Sequence, residues 1–180
     1  RWDSWVGSTN WSRRVWTAFD RALLARSVFS PQGQAIDSPD FVVAPASFNA
    51  IAADAAITFG QLTGDMGWVA RGRALAQTLD DAAWDDNLQA WSDVAFVGGG
   101  PSVRVPTVDG LLPALCTGDA SKAAAALAQL TDGDRFSARY GPRFVARTHP
   151  TYKPAQYWRG PAWPQLNYLV VTAAHGCGQQ

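Results

Sequence analysis

The stretch Tyr157-Trp158-Arg159-Gly160-Pro161-Ala162-Trp163-Pro164 places three aromatic side chains, one arginine and two prolines within eight residues. Both prolines suit the first turn of a helix, where a missing backbone N–H costs nothing, and the apolar run 166–174 follows. Aromatic faces bind the C–H surfaces of sugar rings, and arginine presents a rigid fork of donors to hydroxyls or carboxylates. The stretch therefore predicts a polar and aromatic cluster at a helix start. The alternative is that Trp158 and Trp163 are core residues that only fix the helix start.

The overall composition is that of one globular domain. The chain has 180 residues, of which 47% are hydrophobic and 17% charged, enough to bury a sizeable core. No apolar run is long enough to span a membrane, and a net charge of zero provides no basic surface for nucleic acid or anionic lipid. We therefore expect no nucleic-acid partner and no membrane partner.

The remaining pattern predicts about six helices joined by long Gly- and Pro-rich loops. The first predicted helix starts at the cap Asn10 and ends before Ser30. The second covers about 46–62 and is ended by Gly64, the third begins near Asp65 and reaches about residue 84, and a short turn of helix covers 108–115. The fifth covers 121–130 and is capped by Asp119, and the last follows Pro161. The side chains expected to face the core are Trp11, Trp16, Ile51, Ala55, Thr58, Phe59, Trp68, Leu75 and Leu79. The β-rich pieces 94–97 and 103–105, around Gly98-Gly99-Gly100, predict a short hairpin.

The aromatic stretch resembles the Tyr-Trp-Arg-Gly-Pro-(Val/Ile/Ala)-Trp segment of the inverting glycoside hydrolases related to glycoside hydrolase family 63, notably the mannosylglycerate and glucosylglycerate hydrolases. Weaker similarities precede the aromatic stretch, in the order in which the family's own segments occur. They are Arg1-Trp2-Asp3, Phe48-Asn49-Ala50-Ile51, the segment 108–113 and the segment 139–142. The resemblance implies an all-α fold, with residues 1–180 forming one partial catalytic domain, about half of an (α/α)6 barrel, truncated at both ends. Half a barrel would leave inner helix faces exposed.

The resemblance also implies an activity and a set of site residues. The activity is hydrolysis, with inversion, of the α-glycosidic bond of a small α-glucoside or α-mannoside. Tyr157, Arg159, Trp163 and Trp2 would bind this small carbohydrate. Inversion needs a general acid and a general base, and all fifteen acidic residues here are Asp. In this family the acid would precede Arg1 and the base, a Glu, would follow Gln180, so no catalytic residue is expected within the chain.

One departure from the family pattern keeps other functions open. The segment 31–37 contains neither the arginine nor the tyrosine that binds glycerate in the family, which puts glycerate specificity in question. A trehalase-like or glucosidase-I-like specificity on the same barrel is the alternative enzyme. A carbohydrate-binding α-toroid without catalysis is the alternative outside enzymes.

The other polar motifs predict ordinary roles. Asp3, Asp37 and Asp40 lie nearest the expected pocket but suit loops and turns. The pairs Asp80-Asp81 and Asp85-Asp86 are expected at a solvated helix end, because sequence neighbours on a helix do not face each other. His149 and His175 lack metal-ligand spacing, so no metal and no cofactor are expected. Cys116 and Cys177 form no disulfide framework, which favours a reducing, cytoplasmic compartment.

Overall fold

The computed structural model describes residues 13–33, 35–38, 43–95 and 104–177. Five α-helices and one 3-10 helix lie within them: α1 (Arg13–Arg26), α2 (Ala46–Thr63), α3 (Met66–Ala82), the 3-10 helix (Val108–Leu115), α4 (Ala120–Ala128) and α5 (Pro164–Cys177). The strands are β1 (Val28–Phe29), β2 (Ala35–Asp37), β3 (Val43–Ala44), β4 (Trp84–Asp85), β5 (Ala90–Trp91) and β6 (Val94–Ala95). These elements belong to two compact units, divided after Val43 and again between Val94 and Ala95.

The smaller unit contains α1 and the antiparallel pair β1–β2, in which Val28 is opposite Asp37. Gly33, with φ 82°, forms the turn between the two strands, and its N–H donates to the Ser30 carbonyl at 2.9 Å. The predicted first helix is present from residue 13, whereas its expected cap Asn10 and the expected core residue Trp11 lie outside the described part of the chain. Of Trp16 only the backbone is described, within α1.

In the larger unit, α2 and α3 form a tight antiparallel hairpin. Gly64, with φ 76°, ends α2 in the left-handed conformation that glycine tolerates best, and the Asp65 carboxylate caps α3 by accepting the Gly67 N–H at 2.9 Å. Each helix contributes one glycine to the contact. A Cβ on Gly60 would lie 2.7 Å from the Val69 nitrogen, and one on Gly72 would lie 2.6 Å from the Ala53 carbonyl oxygen. The predicted bounds of both helices are confirmed within two residues.

The 3-10 helix lies at the centre of the core of this unit. Val108, Leu111 and Leu112 are at most 1% exposed, and α2, α4, α5 and β5 pack around them. α4 begins at the predicted cap, where the Asp119 carboxylate accepts the N–H groups of Ser121 and Lys122. No helix in the described ranges is long and apolar enough to cross a membrane.

The core-facing side chains predicted for α2 and α3 are mostly wrong. Ile51, Phe59 and Trp68 are 39%, 51% and 40% exposed, and Ala55 and Thr58 are exposed as well. The buried positions are small, including Ala46, Ala50 and Ala53 on α2, whereas Leu79 on α3 is buried as predicted. Because α2 is apolar around most of its circumference, its pattern does not select a face, and the close approach of the two helices selects small residues instead.

The predicted hairpin of 94–97 with 103–105 is also wrong where the structure describes it. β6 pairs with β3, and Arg104 and Val105 lie outside any strand, while Gly98-Gly99-Gly100 falls outside the described residues. The antiparallel hairpin β4–β5, in which Trp84 is opposite Trp91, was not predicted. The described fold is therefore mainly helical, with three two-stranded sheets that an all-α assignment omits.

Candidate aromatic binding site

Four aromatic rings meet at the start of α5 and form what we call the aromatic cluster: Phe144, Tyr157, Trp158 and Trp163. The Trp158 and Trp163 rings are stacked, with centroids 4.3 Å apart and planes 25° apart. Tyr157 meets the Trp163 ring edge-on at 4.9 Å and a 90° angle, and Phe144 meets Trp158 edge-on at 4.9 Å. The structure thus brings together two of the predicted site residues, Tyr157 and Trp163.

A compact loop, residues 153–160, holds the cluster in place. The Gln156 N–H donates to the Lys153 carbonyl at 3.0 Å, the Arg159 N–H donates to Gln156, and the Lys153 N–H donates to Arg159 at 3.2 Å. Gly160 is buried, and a Cβ there would collide with the Lys153 carbonyl oxygen. The loop therefore requires glycine at this position, and the Phe144 N–H joins it by donating to the Gly160 carbonyl at 3.4 Å.

Two features of the backbone orient the tryptophans. Trp158 has φ 54°, a left-handed conformation that a bulky residue rarely adopts. Trp163 immediately precedes α5, and its carbonyl accepts the Asn167 N–H at 2.9 Å. Pro164 is the first residue of the helix, as predicted, whereas Pro161 precedes it and is not part of the first turn. Rare backbone geometry at a ring that contacts three others is typical of a site where position is constrained.

Three buried polar atoms around the cluster have no hydrogen-bond partner among the described residues. They are the indole nitrogen Nε1 of Trp163, Oε1 of Gln156 and Oδ1 of Asn167. The indole nitrogen is a hydrogen-bond donor, and the two side-chain amide oxygens are acceptors in the assigned orientation of each amide group. All three atoms are buried from solvent, so the part of the cluster that a ligand can contact directly is its exposed ring surface.

The cluster is partly open to solvent. Tyr157 is 50% exposed and Trp158 38%, while Trp163 and Arg159 are half-buried. A groove of about 660 Å³ runs past the start of α5, lined by Tyr140, Ala162, Pro164, Asn167, Tyr168 and Val171. This volume falls in the range of small-molecule sites. None of the four rings of the cluster lines the groove, so the groove and the exposed ring surface are distinct features near the start of α5.

Four further residues were singled out from the sequence. Trp2, Asp3 and Asp40 lie outside the described residues, and Asp37 is exposed in β2 of the smaller unit. Phe144, Gln156 and Asn167 were missed by the sequence analysis. Phe144 carries no periodic signal, since it lies in an irregular segment that is held by the bridge Thr107–Val145 and by backbone hydrogen bonds to other loops. Asn167 lies four residues after Trp163, at the spacing that places two residues on the same side of a helix.

One acidic side chain near the cluster has unusual electrostatics. Asp109 is half-buried in the first turn of the 3-10 helix, and the N–H of its neighbour Val108 donates to the Phe144 carbonyl at 2.9 Å. Burial, and secondarily the Asp93 carboxylate, raise the pKa of Asp109 to about 6. The sequence analysis included this residue only within the family-like segment 108–113 and assigned it no role, because a lone Asp between a valine and a glycine carries no spacing signal.

The prediction of a solvated helix end at the four acidic residues is wrong for two of them. Asp80 is buried, and its carboxylate accepts Trp91 Nε1–H at 3.0 Å and the Thr117 hydroxyl at 2.6 Å. Asp85 is also buried and lies 3.0 Å from the Arg104 guanidinium. These carboxylates are buried because partners from other elements satisfy them, which sequence neighbours do not reveal. Asp81 and Asp86 are exposed, as predicted.

The remaining histidine and cysteine side chains show no metal-binding arrangement. Within the ranges given above, no three His, Cys, Asp or Glu residues lie close enough to hold a metal ion. His149 Nδ1 lies 2.7 Å from the Thr151 hydroxyl, and His175 is exposed in the last turn of α5. Cys116 is free, and burial, with the nearby Asp54 and Asp80, raises the pKa of its thiol to about 12, so it is a poor nucleophile.

The sequence of the chain is similar to those of known glycoside hydrolases. The profile of the mannosylglycerate hydrolase MGH1-like glycoside hydrolase domain matches residues 1–180. Mannosylglycerate hydrolase from Thermus thermophilus is 32% identical over 104 residues, which are 58% of this chain and 24% of that protein. The probable mannosyl-oligosaccharide glucosidase of Schizosaccharomyces pombe is 27% identical over 112 residues, 57% of this chain and 13% of that protein.

The fold is also similar to a solved structure. The crystal structure of a glycoside hydrolase family 63 mannosylglycerate hydrolase from Thermus thermophilus, in complex with glucose, superposes with a TM-score of 0.65 and 24% identity. The superposition covers 92% of this chain and 37% of the other. The chain thus spans a quarter or less of the curated relatives it matches and little more than a third of this structural relative.

Proposed function

The chain belongs to the family of mannosylglycerate hydrolase MGH1-like glycoside hydrolases, and from this membership we propose that the whole protein hydrolyses the α-glycosidic bond of a small α-glucoside or α-mannoside. Within that protein, these residues supply a sugar-binding surface. A mannosylglycerate-like or glucosylglycerate-like substrate follows from the relatives, one of which is named a mannosylglycerate hydrolase.

The single observation that supports this role is the partly open aromatic surface at the start of α5. The Tyr157 ring is 50% exposed and meets Trp163 edge-on, and the Trp158 ring stacked on Trp163 is 38% exposed. A sugar presents C–H faces that pack on aromatic rings, so a hexose complements this exposed ring surface. Arg159, half-buried in the same loop, adds a planar set of donors for a hydroxyl or carboxylate of the substrate.

The mechanism we propose is inversion by water attack. A carboxylic acid protonates the leaving oxygen while a carboxylate activates water on the opposite face of the ring. The four residues of the aromatic cluster carry no carboxylate, so its proposed task is to bind and orient the sugar, and the acid and base are expected elsewhere in the whole protein. Trp2, which precedes the described residues, remains a proposed further contact.

The architecture we propose is an (α/α)6 barrel to which this chain contributes about half. The helical core and the similarity to a family 63 structure over 92% of the chain support this arrangement. Residues 1–180 would then be one part of a single catalytic domain in a cytoplasmic protein. The exposed apolar side chains of α2, such as Phe48 at 73% and Leu62 at 83%, suit a helix that packs against further helices.

Two alternatives share the same aromatic cluster. A trehalase-like or glucosidase-I-like α-glucosidase fits the similarity to the probable mannosyl-oligosaccharide glucosidase. A carbohydrate-binding protein without catalysis would keep the rings and lack the carboxylates. Activity on a panel of substrates separates all three.

The decisive experiment uses the whole protein that contains this chain. Mannosylglycerate, glucosylglycerate, trehalose and a glucose-capped oligosaccharide are offered as substrates, and proton NMR follows the anomer released first. Release of the β-anomer from an α-glycoside supports inversion, and the preferred substrate identifies the specificity. Initial release of the α-anomer would refute inversion, and saturable sugar binding without any turnover would support the binding protein.

The chain offers a matched control for the binding role. Trp84 is half-buried and has an aromatic partner, Trp91, as Trp163 has Trp158, but it belongs to the β4–β5 hairpin. Trp163→Ala is expected to abolish measurable sugar binding, whereas Trp84→Ala is expected to leave the dissociation constant unchanged. Equal loss in both variants would mean that the effect is one of folding.

A further inference from the structure

A further pocket lies between the turn 138–141 and the loop that leads to α5, and we call it the arginine pocket. It has a volume of about 300 Å³ and is also lined by Arg143, Tyr152, Gly160 and Ala162. This volume is at the lower end of the range of small-molecule sites. None of the four rings of the aromatic cluster lines the arginine pocket, so it is distinct from the surface proposed to bind the sugar.

Two arginine–tyrosine pairs line this pocket. The guanidinium carbon of Arg139 lies 5.2 Å from the centre of the Tyr140 ring, and that of Arg143 lies 5.8 Å from the centre of the Tyr152 ring. Both distances are within the range of cation–π contacts, in which a planar guanidinium group is attracted to the ring face. The lining thus combines two positive charges and two phenol hydroxyl groups, and it contains no carboxylate.

The positive charge of Arg143 is held in a fixed place by the backbone. Its Nη1 atom donates to the Gly133 carbonyl at 2.9 Å and to the Arg135 carbonyl at 3.3 Å. In the described part of the chain, no carboxylate forms an ion pair with Arg143 or Arg139. Because carbonyl oxygens carry no net charge, both side chains keep a positive charge that an anion can neutralise.

The backbone around the pocket is closely packed, whereas two of the lining side chains are open to solvent. Gly141 has φ 117° and packs so closely on α5 that a Cβ there would collide with the Asn167 side chain, and Gly160 is buried. Tyr140, by contrast, is 81% exposed, and Arg139 is exposed as well. A small molecule can therefore reach these two side chains without any opening of the backbone.

From this lining we propose that the arginine pocket binds the carboxylate of a small organic acid. Arg139 is the principal donor, because its guanidinium is exposed and presents two parallel N–H groups that match the two oxygens of a carboxylate. The phenol hydroxyls of Tyr140 and Tyr152 add two further donors. Ala138 and Ala162 offer apolar surface to the carbon part of the acid. An inorganic anion has no carbon part, so the lining favours a carboxylate over phosphate.

Isothermal calorimetry on the whole protein that contains this chain tests the site, with lactate as the probe. Lactamide has nearly the same shape without the charge, and inorganic phosphate has the charge without the carbon part. We expect saturable binding of lactate, no measurable binding of lactamide, and binding of phosphate that is about 10-fold weaker than that of lactate. Absence of lactate binding, or equal affinity for lactate and either of the other two probes, would overturn the proposal.

Substitution of Arg139 locates the binding. Arg139→Gln removes the charge from an exposed side chain, and we expect it to weaken lactate binding about 10-fold without lowering the melting temperature. The matched control is Arg71→Gln, because Arg71 is also exposed and lies 5.1 Å from the centre of an aromatic ring, that of Trp68, but belongs to α3. This control should bind lactate as the unaltered protein does. Unchanged lactate affinity in Arg139→Gln, or an equal loss in both variants, would contradict the site.

The carboxylate can come from a free acid or from the aglycone of a glycoside, and only the second source rests on the proposed function. Kinetics with glucosylglycerate and with glucosylglycerol, which lacks the carboxylate, separate the two sources. If the substrate supplies the carboxylate, Arg139→Gln raises KM about 10-fold for glucosylglycerate alone, and lactate inhibits its hydrolysis competitively. If a free acid supplies it, neither KM changes. A protein that hydrolyses neither compound would refute the proposed function, and the lactate titration would still decide the carboxylate site.

Discussion

Two tryptophan pairs in the larger unit look alike in the sequence and differ in the fold. In the β4–β5 hairpin, Trp84 and Trp91 meet edge-on at 4.7 Å and 71°, and both indole N–H groups are bonded, to Asp86 at 2.7 Å and to Asp80 at 3.0 Å. In the aromatic cluster, Trp158 and Trp163 stack at 4.3 Å and 25°, and the Trp163 N–H has no partner among the described residues.

The difference separates a pair that builds the fold from a pair that is available to a ligand. Trp91 is 2% exposed and fully bonded, so nothing remains for a second molecule to satisfy. Trp158 is 38% exposed and has a left-handed backbone conformation, and the Trp163 ring stacked on it has a buried N–H with no partner among the described residues. A buried, fully bonded tryptophan pair is part of the core, whereas a partly exposed stacked pair marks a candidate site.

The largest expected effect is on stability, at the hairpin pair. Trp91→Ala removes a buried ring and leaves the Asp80 carboxylate short of a donor, and we expect about 3–5 kcal/mol less free energy of unfolding. Urea unfolding followed by far-UV circular dichroism measures it. Trp158→Ala, which truncates a partly exposed ring, serves as the comparison. If it costs as much as Trp91→Ala, the division between the two pairs is wrong.

The second prediction concerns catalysis, at the cluster pair. In the whole protein, Trp163→Ala is expected to lower kcat/KM by about 2–4 kcal/mol of transition-state stabilisation through lost packing and positioning of the sugar. Arg159→Lys is expected to lower it too, because a point charge does not reproduce a planar fork. Steady-state kinetics and melting temperature are measured on the same samples. Normal kcat/KM with lowered melting temperature would assign both residues to the fold alone.

An intermediate effect is expected where the hairpin pair is anchored. Asp80→Ala leaves the Trp91 N–H and the Thr117 hydroxyl without their acceptor, which costs about 1–3 kcal/mol of unfolding free energy. The same substitution should leave sugar binding by the chain unchanged, as isothermal calorimetry would show. Weakened sugar binding with unchanged stability would contradict the separation of the two regions.

The smallest effect is expected at the exposed end of the hairpin pair. Asp86→Ala removes the acceptor of the Trp84 N–H, but Asp86 is exposed and water replaces it, so the change should stay within about 0.5 kcal/mol. Thermal unfolding beside Asp80→Ala tests the contrast. If Asp86→Ala lowered the free energy of unfolding as much as Asp80→Ala does, burial would not decide how much these indole hydrogen bonds stabilise the fold.

Helix ends were predictable from the sequence because their signals are local. Asp65, Gly64 and Asp119 act within three residues of their own position, and all three behave as expected. Which face of a helix is buried depends on a partner distant in sequence. On α2, where apolar residues surround the axis, Ile51 and Phe59 were assigned inward and are exposed.

The site was predictable in part for the same reason. The cluster at Tyr157 and Trp163 follows from one contiguous stretch, and the structure does bring these rings together. Phe144 joins it from a separate segment, through a ring contact with Trp158 and a backbone hydrogen bond to Gly160, which no spacing in the sequence encodes. Buried carboxylates such as Asp80 escape prediction because their partners, here Trp91 and Thr117, come from other elements.

The interlocked glycines of the α2–α3 hairpin have a consequence for recombining this family. Gly60 sits against Val69, and Gly72 against Ala53, at distances that leave no room for even a methyl group, so each helix is shaped to the surface of the other. A chimera that takes one helix from this chain and the other from a relative would have to match both surfaces at once. Crossover points for shuffled libraries therefore belong outside residues 46–82, and this hairpin should be inherited whole.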